Sequence, residues 1–203
     1  MEVQITERSD NEIRFVLNAS NPQFANALRR IMIGEIPVLA VHFVDFTAND
    51  SVLYNEIISH RLAMTPLAFD AGEFNLPSEC KCEGKGCGNC QVVLALDKKG
   101  PCTVYSKDMK SSNKGVRPVY DNIPIVELSE NQRLKFEATA QLGFGMQHAK
   151  WQASVASYSY DEPTKFNFYV ESVCGLKPEQ IVVIAADRLK SKAKEFEKAI
   201  EKL

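Results

Sequence analysis

The sequence predicts an α+β protein whose first and last segments form one domain, interrupted by a β-rich middle. Three observations carry this reading. Strand and helix patterns alternate at both ends of the chain. Residues 91–160 read almost entirely as strands. Four of the six cysteines fall within eleven residues, 80–90, in a glycine-containing stretch just before those strands. At 203 residues the chain is long enough for one large domain or two small ones.

Near the N-terminus, "VQITE" and "EIRFVL" alternate apolar and polar residues as half-buried strands do, and the polar "ERSDNE" makes them a hairpin. A helix follows. Asn21 can accept a free backbone N–H of the first turn, and Pro22 suits the first helical position. Phe24, Ala27, Leu28, Ile31 and Met32 form one apolar stripe at helical spacing. Gly34 is a C-terminal stop and Pro37 prevents continuation. "VLAVHFVDFTAN" is then a strand. A second helix is expected over 52–64, with Leu53, Ile57, Leu62 and Met64 apolar, a cap at Asp50 or Ser51, and an end at Pro66.

Residues 70–90 change character, carrying acidic residues, glycines and the cysteines. "QVVLALD", "CTVYS", "LKFEATAQLGF" and "WQASVASYSY" read as strands, separated by turns such as "DKKGP" and "SENQ", and "FNFYVESV" reads as another. The last segment, 178–203, is a long helix. Pro178 opens it, Glu179 complements its dipole, and Ile181, Ala185, Leu189, Ala193, Phe196, Ile200 and Leu203 recur at steps of three and four. It would be ~39 Å long, against ~30 Å for a small domain, so its outer end projects beyond its own core. A narrow apolar seam beside mixed charge suits packing on a partner helix; the alternative is a helix lying on its own sheet.

Net charge is −2, which gives no reason to expect specific DNA binding. No stretch approaches the roughly 20 apolar residues of a spanning helix, so no membrane partner is expected. "MEVQITERSD" is not a signal peptide, and a cytoplasmic setting with reduced thiols is expected. The three histidines are scattered, there is no P-loop lysine motif and no H-E-x-x-H, and nothing points to a catalytic centre. Gly143-Phe-Gly145-Met-Gln-His148 departs from the dinucleotide-binding glycine pattern at its last position and precedes a strand-like run, so it reads as a sheet bend or a close backbone approach.

The cysteine cluster is Cys80-x-Cys82-x4-Cys87-x2-Cys90. Four thiolates complete a closed tetrahedral Zn2+ shell, which makes a zinc here structural rather than catalytic. By spacing alone, empty thiols, a disulfide or an iron–sulfur cluster remain alternatives, and a cysteine-based redox protein is the competing function. Cys102 and Cys174 read as small buried hydrophobes. Arg29 and Arg30 diverge by ~100° on their helix and bracket its apolar stripe.

"NPQFANALRRIMIGEIPVLAV", "VLYNEIISHRLAMTPL", "GVRPVYDNIPIVEL", "LGFGMQHAKWQ" and "FNFYVESVCGLKPEQI", in this order, resemble the alpha-like subunits of multisubunit DNA-directed RNA polymerases. The likeness is greatest to the archaeal members, counterparts of the third-largest subunit of eukaryotic RNA polymerase II and of the bacterial alpha amino-terminal domain. The resemblance covers nearly the whole chain. It implies a discontinuous dimerisation domain, 1–45 plus 164–203, and an inserted β-rich domain, 46–163. It implies a non-catalytic assembly subunit that pairs with the small alpha-like subunit L and binds the two largest subunits and other small ones. By the same resemblance, L would meet Phe24, Asn26, Leu28, Arg29, Arg30, Ile31, Met32, Leu189, Phe196 and Ile200. Glu35, His60, Arg61, Gly145 and His148 would meet a large subunit. Cys80, Cys82, Cys87 and Cys90 would carry the zinc of the inserted domain, with one more residue between the second and third cysteines than in eukaryotic relatives. Many archaeal members insert a ferredoxin-like domain after the strand matching "SVASYSY". Here "DEPTKF" passes straight to the next strand, so no iron–sulfur cluster is expected.

Overall fold

The alternation and the helical spacing become twelve strands and three helices among the described residues, 1–202 of a computed structural model. The strands are β1 (Glu2–Arg8), β2 (Glu12–Asn18), β3 (Pro37–Asn49), β4 (Leu67–Ala68), β5 (Gln91–Lys99), β6 (Cys102–Tyr105), β7 (Lys110–Ser111), β8 (Arg117–Pro118), β9 (Pro124–Leu128), β10 (Arg133–Phe144), β11 (Ser154–Glu162) and β12 (Lys165–Ser172). The helices are α1 (Pro22–Gly34), α2 (Asn55–Ala63) and α3 (Pro178–Ile200). The backbone divides into an end unit, made of Met1–Pro37 and the chain from Phe144 onward, and a middle unit, Val38–Gly143.

The end unit is a four-stranded antiparallel sheet of order β1-β2-β12-β11, with α1 and α3 packed on it and on each other. Its core begins at the β2–β12 register, where Phe15 lies opposite Phe168 and their rings stack at 4.9 Å. Ile13, Leu17, Phe166 and Val170 alternate on the same face, all nearly inaccessible. The Phe24 backbone N–H donates to Asn21 Oδ1 at 2.8 Å, the cap expected from sequence. Buried Ser154 donates its hydroxyl to the Met32 carbonyl at 2.8 Å, tying β11 to the last turn of α1. Gly145 allows a close approach there, since a Cβ would stand 2.8 Å from the Ile33 carbonyl oxygen.

The middle unit holds a sheet of order β3-β10-β5-β7 and two small pairs, β4-β8 and β6-β9. Along β5, Val92, Leu94 and Leu96 point inward; along β10, Leu134, Phe136, Ala138 and Ala140 do. Arg61 of α2 donates to the Ile125 carbonyl at 2.8 Å, fixing that helix to β9. Lys98 pairs with Asp108 at 2.8 Å, and Arg133 forks onto Asp97 at 2.6 and 2.9 Å.

The backbone units divide at 37/38 and 143/144, where the sequence led to domain divisions at 45/46 and 163/164. The reason is strand pairing: β3 belongs to the middle sheet, and β11 pairs with β12 from Ser154↔Ser172 to Glu162↔Lys165. The second helix is shorter, Asn55–Ala63, and neither Asp50 nor Ser51 caps it. Asn49 Oδ1 accepts from both the backbone N–H and the hydroxyl of Ser51, at 3.1 and 2.6 Å, so this segment folds as a side-chain-closed turn. The last helix ends at Ile200, ~35 Å from its start; Leu203, placed on its seam from sequence, lies outside the described residues.

Replacing Phe168 with alanine removes the stacked partner of Phe15 and is expected to destabilise the end unit by ~3–5 kcal/mol, read from denaturant unfolding. Asp108 titrates below the ordinary carboxylate range: burial pushes it up, but the Lys98 ammonium and the Tyr105 backbone N–H outweigh that. A depressed carboxyl contributes stability that is complete above its unfolded value, about 3.9, and is lost as pH falls through the folded value. Stability should therefore hold from pH 7 to about 5 and fall below about 4, and Asp108→Asn should flatten that acid limb.

Candidate metal centre and contact residues

The cysteines lie in the loop between β4 and β5, a run of turns with no strand or helix of its own. Each arm is a tight turn. Glu83 N–H donates to the Cys80 carbonyl at 3.0 Å and Lys85 N–H to the Cys82 carbonyl at 3.1 Å. Cys90 and Gln91 N–H groups both donate to the Cys87 carbonyl, at 3.0 and 2.9 Å. Glu83, Gly84 and Gly86 take positive φ, which lets the first arm curl back on itself. Asn75 N–H donates to the Asn89 carbonyl at 2.8 Å, closing the loop's base.

These turns aim four sulfurs at one point. Cys80 and Cys87 Sγ stand 3.5 Å apart, Cys82 and Cys90 3.6 Å, Cys87 and Cys90 3.8 Å, and all four lie within 4.8 Å of one another. Four Zn–S bonds of about 2.3 Å at tetrahedral angles separate the sulfurs by about 3.8 Å, so the donor set and its spacing fit a thiolate-held divalent ion. Cys80 and Cys90 are buried while Cys82 and Cys87 are half-buried. Hydrogen bonding from the Cys80 thiol holds the Cys82 thiol down to about 6, and burial pushes Cys90 up to about 12. Cys80 also rises: the Cys82 backbone N–H lowers it, but its side-chain bond to Cys82 and burial prevail. Cys80 and Cys90 thus keep protons that a cation would displace. With four protein ligands the shell would be closed, leaving no open position for chemistry.

The residues expected at subunit contacts separate into two groups. Leu28, Ile31 and Met32 are 5, 3 and 0 % exposed within the end unit, so they fill its own core and leave no surface for a partner. Gly145 is held against the Ile33 carbonyl. Phe24, Arg29, Glu35 and Leu189 are half-buried, and Asn26, Arg30, His60, Arg61 and His148 are exposed. Phe196 and Ile200, at 68 and 52 %, stand free on the last turns of α3. Asn26 Oδ1 accepts from Arg29 Nε and Nη2 at 3.3 and 3.0 Å. His148 Nδ1 accepts from the Lys150 N–H at 3.0 Å. Lys192 of α3 pairs with Glu35, a bond between the two helices that sequence did not signal. His60 and Arg61 belong to the middle unit, the other contact candidates to the end unit. No helix among the described residues is long and apolar enough to cross a membrane.

Residues 41–159 match the family described as the RNA polymerase Rpb3/RpoA insert domain. The chain is also similar to proteins named DNA-directed RNA polymerase subunit Rpo3. That of Archaeoglobus fulgidus is 46% identical over 158 residues, covering 77% of this chain and 60% of the relative. That of Methanothermobacter thermautotrophicus is 42% identical over 171 residues, covering 82% and 64%. That of Pyrococcus furiosus is 48% identical over 160 residues, covering 79% and 59%. The chain therefore spans about three-fifths of the length of these relatives.

If the sulfur cluster holds a divalent ion, cobalt(II) added to the reduced chain should bind one per molecule and give the visible bands of tetrahedral thiolate coordination. Cys90→Ser should abolish that spectrum. Zinc should raise the thermal midpoint and shield the four cysteines from alkylation, while leaving Cys102 open to reagent.

Proposed function

The chain belongs to the RNA polymerase Rpb3/RpoA insert-domain family, and from that premise we propose that it is a subunit of the archaeal Rpo3 kind and a non-catalytic assembly platform of DNA-directed RNA polymerase. It pairs with the small alpha-like subunit L, and the pair receives the two largest subunits, where nucleotidyl transfer takes place. The observation that carries the reading is the free end of α3, where Phe196 and Ile200 extend an apolar seam that the end unit does not cover. Large exposed apolar side chains on a charged helix are what a partner helix buries.

Half-buried Phe24 and Leu189, with Asn26, Arg29 and Arg30, form the rest of the contact with L; Leu28, Ile31 and Met32 support it from beneath. Glu35, His60, Arg61 and His148 meet a large subunit. The cysteine loop holds a structural Zn2+, which orders a segment that has little apolar core of its own. β11 and β12 are joined by two residues, Pro163 and Thr164.

Light scattering after gel filtration tests this on the chain alone and co-expressed with an archaeal subunit L. A one-to-one complex is expected. Phe196→Asp with Ile200→Asp should weaken it at least ~10-fold, since burying each such side chain is worth ~1.5–3 kcal/mol. The thermal midpoint of the chain alone should not move, because both residues are exposed. A monomer indifferent to L would overturn the assembly reading.

A further inference from the structure

Gln91 is the first residue of β5 and immediately follows Cys90, yet its side chain reaches across to the other arm of the cysteine loop. A Cβ at Gly86 would overlap Gln91 Oε1 and stand 3.1 Å from its Cδ, so the amide lies directly on the glycine. Gly86 has φ +90°, a conformation that side chains rarely adopt, and it closes the arm that carries Cys82. On its other side, Gln91 Nε2 donates to Gln141 Oε1 at 3.4 Å, across the β5–β10 register in which Gln91 lies opposite Gln141.

The two arms differ in support. Cys90 is buried and leads directly into β5, so the second arm is held by the sheet. The first arm, 80–86, consists of turns, and its half-buried Cys82 lies farther from the strands in sequence. An arm not already in place must be ordered when the ion binds, and that cost weakens affinity.

We infer that Gln91, anchored on Gln141, is a positioning residue for the metal centre, packing on Gly86 so that the arm carrying Cys82 is held in place. This rests on the metal reading of the cysteine cluster and adds how the site is supported. The requirement for glycine at 86 has two sources: its backbone conformation and the amide packed on it. A side chain at 86 would drive Gln91 off the loop, because the glutamine tip is the part free to move.

The test uses the complete chain and reads zinc affinity by competition with a chromogenic chelator, alongside the cobalt(II) spectrum. Gln91→Ala should weaken zinc binding ~10–100-fold, the usual effect of removing a group that orients a ligand. It should also alter the cobalt–thiolate bands. Gln91→Met, which keeps a side chain of similar length over Gly86 but cannot donate to Gln141, should recover only part of the affinity. Gly86→Ala should weaken binding as well, and its effect should be smaller in the Gln91→Ala background, since the two act through one contact. Unchanged zinc affinity and cobalt bands in Gln91→Ala, with a lowered thermal midpoint of the metal-free chain, would make Gln91 a sheet residue only and overturn the inference. If the unsubstituted chain took up neither metal, the metal reading itself would fail and the positioning role with it.

Discussion

The antiparallel pairing of β2 with β12 is the constraint on which the end unit depends. It joins residues some 150 positions apart, Phe15 with Phe168, and their stacked rings lie at the centre of a four-stranded sheet. Closing so long a loop costs chain entropy that only a large buried apolar face can offset. The inward alternation of Ile13, Phe15 and Leu17 against Phe166, Phe168 and Val170 supplies that face, and a one-residue slip would turn all of it to water. With the two ends of the chain committed to each other, everything from Val38 to Gly143 forms a separate unit with its own sheets.

The helices of the end unit show how one apolar stripe can serve two ends. In α1, Leu28, Ile31 and Met32 are consumed by the core, and Ser154 and Gly145 close on the helix's last turn. In α3, Ile181 and Ala185 are buried, but every residue from Lys190 to Ile200 is exposed. Glu35, which caps the end of α1, is bonded to Lys192 of α3. Beyond it the helix carries its seam without cover, which is why the proposed partner contact is centred there rather than on the buried stripe of α1.

The cysteine loop solves a different problem. A loop of turns buries few apolar side chains, with Phe74 among them, and turns alone leave it weakly ordered. Four sulfurs brought within 4.8 Å provide the donors for a cation that can take over that ordering. The loop is also moored to the sheet on both arms, by Cys90 through β5 and by Gln91 across to Gly86.

Much of this is legible in the sequence because it is local. Asn21 and Pro22 announce the start of α1, the period-two alternation gives β2 and β12, and the cysteine spacing gives the donor set, since each depends on residues a few positions apart. The second helix reads too long because Asn49 and Ser51 close a turn on each other, a competition between side chain and backbone that apolar spacing does not register. The domain boundaries, the burial of Leu28, Ile31 and Met32, the Glu35–Lys192 bond and the place of Gln91 on Gly86 depended on the tertiary structure alone. Each is set by which distant strand or helix lies alongside. The sequence by itself therefore determined the elements, the family resemblance and the candidate ligands. Packing decided which of the apolar and polar residues were already used within the chain and which were left for a partner or an ion, because burial is a property of neighbours brought together by the fold and not of a residue's own position in the chain.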